Sequence, residues 1–551
     1  MRAMNTKSLL GQVLQGATVA LGSMLALSAH AAAPGITGAS NAPVFNLNAA
    51  AMRVTQPNGK SLYSWGYGCT STTGNSFAPA SVRGANCPAA QLPGPTLIVT
   101  EGDTVTVNLT NGLPAAAGGT SILFPGFQVA TSGGTTGLLT QEAPSLASCV
   151  TGGCNTVKYT FTASTPGTHS YYSGTQGDLQ VEMGMYGALI VLPKTVPSNC
   201  ITGVLAANNV IAETTSGESD FRLAKAAYDH PSTCYDREYL FQFSEMDDNI
   251  HSQAEAQVLA DQLKAVGSQC TNPTGCLVVA TEPYLPDYYL VNGRSMPDDM
   301  DPNYIPMYPN QPYNGNPHMH PGEQTLVRII GQGRWQHPFH EHANHVRVLA
   351  RDGNLLLSPP TNPSDPTSTL PAGPLMFTTT TTPGMTMDGI FYWTGRGLNW
   401  DVFGHDPSLV DSNTKKPFVC VPDTNGYFTS DPTAPNYYEW CGDHNKALEK
   451  HPFGQVAAGG PVTLPDPNIV ANGNWYGGSP YLGGEATVRA VGGTPIPPAG
   501  TVANSPSGEA GFAYMWHSHN EREITTSNVF PGGMMMMMLV DPRSFAIDET
   551  N

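Results

Sequence analysis

Charged residues are scarce in this chain, at 12% of 551 residues, which is about half the usual share in globular proteins. Basic residues are the scarcer sign, with 24 Lys and Arg against 42 Asp and Glu, and the formal net charge is −18. This acidic balance argues against nucleic acid and anionic lipid as partners. No apolar run after the N-terminal segment is long enough to cross a bilayer, so the sequence predicts no membrane insertion.

Common catalytic motifs are also missing from the sequence. It contains no Gly-x-Ser-x-Gly motif, no glycine-rich phosphate-binding loop and no His-Glu-x-x-His motif. The sequence therefore gives no support to a serine hydrolase, a P-loop nucleotide hydrolase or a zinc protease of the usual kind.

The N-terminal segment is typical of a secretory signal peptide, predicted over residues 1–31. Arg2 and Lys7 supply the positive start, Ala17 to Ala29 form the apolar stretch, and a small-x-small site predicts cleavage after Ala31. The expected location is therefore periplasmic or secreted. Removal of the segment takes two positive charges from the chain and leaves the expected mature protein more acidic.

Ten cysteines remain after that cleavage, and they fall in close sequential pairs. An even number in an oxidising compartment predicts disulfides, although the sequence alone does not determine their connectivity. Sequential pairing is the simplest arrangement, and none of the ten has the His-x-Cys setting of a copper ligand. The predicted pairs are Cys69–Cys87, Cys149–Cys154, Cys200–Cys234, Cys270–Cys276 and Cys420–Cys441.

Alternating β-branched residues between Gly- and Pro-rich turns predict an all-β fold. Segments such as Thr104–Thr110 have one apolar face, and we expect antiparallel β-sandwiches. We predict a first domain over residues 43–195, a disulfide-bearing connector over 196–235 and a second domain over 236–551. Residues 395–511, rich in Gly, Pro and Asn, are expected to form a long irregular insertion. Helical spacing predicts one helix, through Ile250, Ala254, Val258, Leu259, Leu263 and Val266.

Two histidine-rich segments are the strongest candidates for a site. Side chains two residues apart on a strand share a face, so His340 and His342 project together, as do His517 and His519. If the two strands are adjacent, four imidazoles converge, and such a set suits Cu(II) or Zn(II), with copper favoured by intrinsic affinity. Ser518 then faces the other way, toward His337.

Several segments, taken in order along the chain, resemble the multicopper oxidases. The resemblance implies tandem cupredoxin-like Greek-key domains and copper that passes electrons from a reductant to dioxygen. The segment from Arg237 to Asn249 is more similar to the two-domain, ceruloplasmin-like branch, in which subunits often share a copper cluster. That implies a homo-oligomer. The matching segments are Pro93–Thr96, Gly167–Tyr171, Met183–Val191, His337–His342 and His517–His519.

The resemblance also assigns roles to the histidines. It implies that His337 binds the blue copper, His340 the type 2 copper and His342 a type 3 copper. His517 and His519 match type 3 ligands. Met534 matches the axial ligand of the blue copper only if the longer loop before it permits.

The copper motifs are degenerate at several positions. Ser518 stands where the family has the thiolate ligand of the blue copper, and a hydroxyl cannot replace a soft thiolate. Glu523 stands where the second blue-copper histidine belongs. The first motif has no histidine from residue 122 to 126, and Tyr172 and Gly174 replace the histidines of the second. His169 lies nearby but out of register.

Three functions are consistent with these residues. The leading hypothesis is an exported copper-binding protein that sequesters copper or performs modest redox chemistry at a residual histidine cluster. The second is an active oxidase of phenols or metal ions with rebuilt sites, which takes a small-molecule reductant or a metal ion as substrate. The third is a metal-free structural or binding protein.

Three further features have more than one interpretation. The His318-Met-His320 segment is expected in an exposed loop, although it could also extend the site. Core packing is favoured for the five methionines from Met534 to Met538 over a thioether copper relay. Glu341, with His345, is a candidate for orienting the rings or relaying protons, or for pairing with Arg347 or Arg351.

Overall fold

The computed structural model describes residues 33–71, 74–82, 84–149, 153–201, 220–265, 267–394, 478–482 and 510–541, with Pro417, Ala434 and Ile547. The predicted signal peptide lies outside the described residues, and so does nearly all of the predicted insertion, 395–511. None of the described helices is both long and apolar enough to span a bilayer.

The N-terminal part of the described chain is a β-sandwich. Its strands are β1 (Gly35–Thr37), β2 (Val44–Thr55), β3 (Ser61–Ser71), β4 (Ser76–Ala78), β5 (Gly94–Thr100), β6 (Thr104–Asn111), β7 (Ala130–Gly133), β8 (Thr135–Thr136), β9 (Gln141–Glu142), β10 (Thr156–Thr162), β11 (Gly167–Tyr172) and β12 (Tyr186–Leu192). One sheet has the order β11-β12-β5-β1-β4 and the other β3-β2-β6-β10-β7, while β8 and β9 form a separate ribbon.

The predicted alternation explains how this sandwich forms its core. In β6 the side chains of Val105, Val107 and Leu109 are buried, and the intervening residues are more exposed. The turn before β6 is a tight one at Gly102, whose φ is +89°. The Asp103 carboxylate closes that turn by accepting a hydrogen bond from the Thr100 backbone N–H at 2.8 Å.

The C-terminal part forms a second sandwich. Its strands are β13 (Arg237–Met246), β14 (Tyr288–Val291), β15 (His318–Met319), β16 (Gln324–Gly331), β17 (His337–Glu341), β18 (Val346–Arg351), β19 (Asn354–Leu355), β20 (Leu375–Met376), β21 (Thr378–Thr381), β22 (Thr386–Tyr392), β23 (Gly478–Leu482), β24 (Ala510–Ser518) and β25 (Met535–Val540). The sheet orders are β14-β13-β16-β22-β18-β19, with β20 beside β18, and β15-β25-β24-β17-β21, with β23 beside β24.

The prediction of an all-β fold built of two β-sandwiches is confirmed, but the sheets are not purely antiparallel. Strand β5 runs parallel to β1 and β12, and β13 runs parallel to β16. The expectation of antiparallel pairing was therefore wrong for these strands. Parallel neighbours need a long crossover connection between the two strands, which the local alternation of side chains does not reveal.

The predicted helix is present and joins the two halves of the molecule. It is the longest of α1 (Gly177–Gln180), α2 (Ser198–Ile201) and α3 (Asp248–Gln262). The Asp247 side chain caps α3 by accepting from the Asn249 N–H at 2.9 Å. Ile250, Ala254 and Val258 pack into the core of the first sandwich. Short 3-10 helices are Ala115–Ala117, Leu146–Ser148 and Asp298–Met300.

Four of the predicted disulfides are confirmed. They join Cys69 to Cys87, Cys149 to Cys154, Cys200 to Cys234, and Cys270 to Cys276. The fifth predicted pair, Cys420–Cys441, lies outside the described residues. Four disulfides among the described cysteines suit an oxidising compartment.

A buried polar contact connects the sandwiches at Asp388 on β22. Its carboxylate accepts hydrogen bonds from the Thr168 backbone at 3.0 Å, the Thr168 hydroxyl at 2.6 Å and the Tyr228 hydroxyl at 2.6 Å. Arg328 lies 3.6 Å away on the neighbouring strand β16. Because Thr168 belongs to β11 of the first sandwich, this carboxylate helps to hold the two sandwiches in one arrangement.

Candidate metal centre

The two histidine segments lie on adjacent strands of one sheet. Strand β17 pairs antiparallel with β24, and His340 lies directly opposite His517 in the register. Cross-strand neighbours of this kind project to the same face with Cβ atoms about 4.5–5.5 Å apart. The pairing brings together the histidines that the sequence placed on common faces.

The four rings form one cluster. Ring centroids of His340 lie 4.9 Å from His342, 5.5 Å from His517 and 4.6 Å from His519. The centroids of His342 and His517 are 5.1 Å apart, and their Nε2 atoms are 3.3 Å apart. One ring nitrogen each from His340, His342 and His517 lies within 4.8 Å of the others, a group that can hold a metal ion.

Hydrogen bonds outside the cluster orient two of the rings. The Nδ1 atom of His517 lies 2.6 Å from the Ser518 carbonyl oxygen. A carbonyl only accepts, so Nδ1 carries the proton and the Nε2 of a neutral His517 ring keeps its lone pair. The Nδ1 atom of His340 lies 2.6 Å from the Thr378 hydroxyl on β21. Partners of this kind fix ring orientation at metal sites.

The surroundings keep two of the rings, those of His340 and His517, neutral. Burial, together with the neighbouring rings of His342, His519 and His517, lowers the pKa of His340 to about 3. Burial also lowers the pKa of His517 to about 4, with His342 and His519 adding to the effect. Neutral imidazole is the form that binds metal, so these two ligands need not lose a proton above about pH 5.

His337 lies apart from this cluster, between two buried carboxylates. Its Nδ1 is 2.8 Å from Glu523 Oε2 and its Nε2 is 2.9 Å from Glu245 Oε2. Burial opposes a charge on the ring, but the hydrogen bonds with Glu245 and Glu523 outweigh it and raise the pKa of His337 to about 9. The ring is therefore an imidazolium that donates from both nitrogens, and neither nitrogen offers a lone pair to a metal.

The two carboxylates of this clamp, Glu245 and Glu523, are themselves held in place. Glu523 Oε2 accepts from the Ser518 hydroxyl at 2.5 Å. Glu245 Oε1 accepts from the backbone N–H groups of Arg334 at 2.6 Å and Trp335 at 2.8 Å. Ser518 does face His337, as predicted, but it reaches His337 only through the shared Glu523 carboxylate.

Sequence reasoning missed Glu245 as a partner of His337. It lies on β13, where all ten side chains are buried, and a buried carboxylate implies a partner. That signal was present in the Phe-Ser-Glu-Met stretch, but the identity of the partner depends on the packing of β13 near β17. Glu523 was noticed only as a replaced histidine.

The degenerate positions of the first sandwich bring no imidazole to a common point. Leu123 and Tyr172 form an isolated bridge, and Gly174 packs under Leu123. His169 lies with its Nε2 2.9 Å from the Thr165 carbonyl and its ring 4.7 Å from Phe127.

The expectation that the His318-Met-His320 segment is exposed was wrong. His318 and His320 are 1% and 0% exposed. The Nδ1 atom of His318 lies 2.7 Å from Asp541, and that of His320 lies 3.1 Å from Glu323. The flanking prolines suggested a loop, but residues 318–319 form strand β15 beside β25.

Glu341 and His345 also differ from expectation. Glu341 is buried and accepts from the Thr379 hydroxyl at 3.2 Å, whereas Arg347 donates to the Gly373 carbonyl at 2.9 Å. Burial raises the pKa of Glu341 well above its usual range. The His345 ring packs against Phe377, with centroids 5.0 Å apart. Of the alternatives for Glu341, pairing with Arg347 or Arg351 is therefore wrong, since Arg347 donates to Gly373 and Arg351 contacts the Met385 sulfur.

The run of five methionines is part of the core, as the sequence favoured. Met534, Met536 and Met538 are fully buried and belong to the core cluster of the second sandwich. Strand β25 pairs with β24, and Met535 lies opposite His517 in the register.

The family described as multicopper oxidase matches residues 77–196. No curated protein has a significant match to the sequence. A solved multicopper oxidase, mgLAC, is 14% identical with a TM-score of 0.42, over 92% of this chain and 88% of that one.

Two further solved structures are similar at the same low level. The blue copper oxidase of Nitrosomonas europaea is 14% identical with a TM-score of 0.40, over 90% of this chain and 85% of that one. The copper nitrite reductase of Nitrosomonas europaea is 18% identical with a TM-score of 0.36, over 64% of this chain and 86% of that one.

The resemblance to the multicopper oxidases is therefore confirmed, with the family match on the first sandwich. The histidine cluster lies in the second sandwich, beyond the matched residues. The second sandwich thus contributes all four candidate ligands.

Proposed function

We propose that this chain is an exported, multicopper-oxidase-like copper-binding protein whose ligands are His340, His342, His517 and His519. The observation that carries the proposal is the convergence of these rings on one face, with the Nε2 atoms of His342 and His517 3.3 Å apart. The proposal keeps the predicted division into domains of residues 43–195 and 236–551, joined by the connector 196–235.

The donor set fits a metal ion. Imidazole ligands bind zinc and copper at about 2.0–2.1 Å, and two ligands of a tetrahedral ion are then about 3.3 Å apart. The separation of the two Nε2 atoms is 3.3 Å. Between the two metals, copper has the higher intrinsic affinity for nitrogen ligands, and zinc is the alternative occupant.

The former blue-copper position does not fit a metal ion. Its thiolate is replaced by Ser518, and its one remaining imidazole, His337, donates to Glu245 and Glu523 through both nitrogens. A blue centre requires a thiolate and two imidazole lone pairs. We therefore infer copper binding or sequestration, with weak or atypical oxidase activity as the most that the cluster supports.

Copper held by the four rings would supply one-electron redox chemistry toward a small reductant. The chain's own contribution is to present neutral imidazoles, to orient His340 through Thr378, and to orient His517 through the Ser518 carbonyl. Export is supported by the four disulfides among the described residues, which form in periplasmic or secreted proteins.

Metal analysis of the purified full chain tests the proposal. We expect about one copper per chain after incubation with Cu(II) and removal of excess, and little in the double variant H340A/H342A. The matched control is H345A, because His345 lies in the same region but packs against Phe377. Equal copper content in the double variant and the parent would overturn the proposal.

Two further measurements separate the other functions. An absence of specific Cu(II) and Zn(II) binding by calorimetry would support a metal-free structural or binding protein. Rapid dioxygen consumption with phenols, Fe(II) or Cu(I), lost in H340A/H342A, would instead support an active oxidase with rebuilt sites.

A further inference from the structure

A cleft lies between the two sandwiches, and none of its lining residues is a proposed metal ligand. Its volume is about 570 Å³, and its lining includes Leu123, Tyr172 and Gly174 from the first sandwich and Gln332 and Gly384 from the second. Small-molecule sites commonly have volumes of about 300–1,000 Å³ and occur between domains.

One wall of the cleft is held rigid by a buried hydrogen-bond network. The Ser173 hydroxyl donates to Gln180 Oε1 at 2.7 Å, and the Ser121 and Thr175 hydroxyls are 2.8 Å apart. Gln180 Nε2 in turn donates to the Gly119 carbonyl at 2.8 Å. Satisfied networks of this kind preform a site, which lowers the entropic cost of binding.

Glycines account for the open space. A Cβ atom at Gly174 would come within 2.8 Å of the Leu123 side chain, and Gly384 has a φ of +78°, which disfavours any side chain there. At Gly177 a Cβ atom would meet nothing within 4 Å. The cleft therefore has open space beside Gly177, whereas at Gly174 there is no room for a side chain.

Apolar groups stand at the mouth of the cleft. Leu138 and Leu139, between β8 and β9, also line it and are 91% and 64% exposed. Two adjacent, highly exposed leucines beside the ring of Tyr172 form an apolar surface that an apolar ligand would cover. Burial of such surface stabilises a complex by roughly 25 cal/mol per Å².

The charges around the cleft have one sign. Glu142 and Asp178 line it, and no Lys or Arg occurs among its described lining residues. Two carboxylates favour a cation over an anion, and the face of an aromatic ring such as that of Tyr172 also attracts ammonium groups. The lining thus combines an apolar surface with negative charge.

We propose that this cleft binds a small organic amine, in which a protonated amino group is attached to an aromatic or branched apolar body. The ammonium group lies toward Glu142 and Asp178, and the apolar body contacts Leu138, Leu139 and Tyr172. This site is distinct from the histidine cluster and does not depend on copper.

Titration calorimetry on the full chain with three probes of one shape tests the proposal. The probes are phenethylamine as the cation, 2-phenylethanol as the neutral analogue and phenylacetate as the anion. We expect one saturable site for phenethylamine, affinity for 2-phenylethanol lower by roughly fivefold to tenfold, and no saturable binding of phenylacetate.

Three variants locate the site. G177F should abolish binding, because its ring enters the open space beside residue 177. E142Q/D178N should weaken phenethylamine binding to the level of 2-phenylethanol, and D229N, at an exposed carboxylate elsewhere, should leave the affinity unchanged.

Equal affinity for all three probes, absence of phenethylamine binding, or unchanged binding by G177F would overturn the proposal. Thermal unfolding of G177F shows whether that variant folds, and the charge variant provides an independent test if it does not. The other possible occupant of the cleft is a second copy of this chain. Sedimentation with and without phenethylamine tests for that self-association. Self-association through the cleft, without amine binding, would also overturn the proposal.

Discussion

The hydroxyl of Ser518 donates a hydrogen bond to the carboxylate of Glu523, with Oγ and Oε2 2.5 Å apart. The family resemblance assigns both positions to ligands of the blue copper. The two residues that stand there instead are hydrogen-bonded to each other. The same Oε2 atom lies 2.8 Å from His337 Nδ1. The positions that the resemblance assigns to a blue copper here form a hydrogen-bonded clamp around an imidazolium.

Restoring the thiolate alone should not restore a blue centre. In S518C, His337 still donates to Glu245 and Glu523, so copper gains a sulfur but no imidazole lone pair there. We expect no intense copper–thiolate absorption in the visible spectrum of copper-loaded S518C. S518C/E523H, which adds an imidazole and removes one carboxylate of the clamp, is the comparison, and strong blue colour in S518C alone would contradict the clamp.

The charge on His337 should make stability fall at alkaline pH. The folded-state pKa of about 9 lies above the ordinary value of 6.5. The stabilisation that the charged His337 ring gives to the folded state is therefore complete below about pH 6.5. It is lost as the pH rises through about 9. A shift of this size corresponds to roughly 3 kcal/mol in the free energy of unfolding.

Urea unfolding of the parent and of H337Q between pH 6 and 10 measures this effect. The parent should lose stability over the alkaline range, and H337Q should be less stable at pH 6 but lack the loss that His337 causes. Parallel curves for the two proteins would show that His337 is not the titrating group.

Copper should stabilise the fold through the histidine cluster. A ligand that binds only the folded state at about 100 times its Kd adds roughly 2.7 kcal/mol to the free energy of unfolding. Thermal unfolding with Cu(II) should show a rise in Tm for the parent and for H345A. The rise should be absent from H340A/H342A, and an equal rise in all three would point to copper bound elsewhere.

Loss of the Asp388 charge should destabilise the contact between the sandwiches. In D388N one acceptor oxygen becomes a donor, which then faces either the Thr168 hydroxyl or both the Thr168 backbone N–H and the Tyr228 hydroxyl. We expect a loss of roughly 2–4 kcal/mol in the free energy of unfolding, measured by denaturant titration. D229N, at an exposed carboxylate near Tyr228, should change stability by less than about 0.5 kcal/mol, and equal effects in the two variants would rule out this contact.

Much of the fold, and the two histidine pairs of the candidate site, could be predicted from local sequence patterns. Alternation in the Thr104–Thr110 segment predicted a strand, and helical spacing predicted α3, because both depend on neighbours within a few residues. The shared faces of His340 with His342 and of His517 with His519 followed from the two-residue period of a strand. The burial of His318 was missed because its partner Asp541 lies 223 residues away.

The sequence by itself determined the all-β class and the residue types of the candidate centre, since these depend on composition and short-range periodicity, whereas the structure decided the pairing of the described cysteines. Only the tertiary structure decided that β17 and β24 are neighbours, with His340 opposite His517. It also showed that His337 is enclosed by Glu245 and Glu523, 92 and 186 residues distant along the chain. Contacts of that range arise from strand order and register, which no local stretch of sequence encodes.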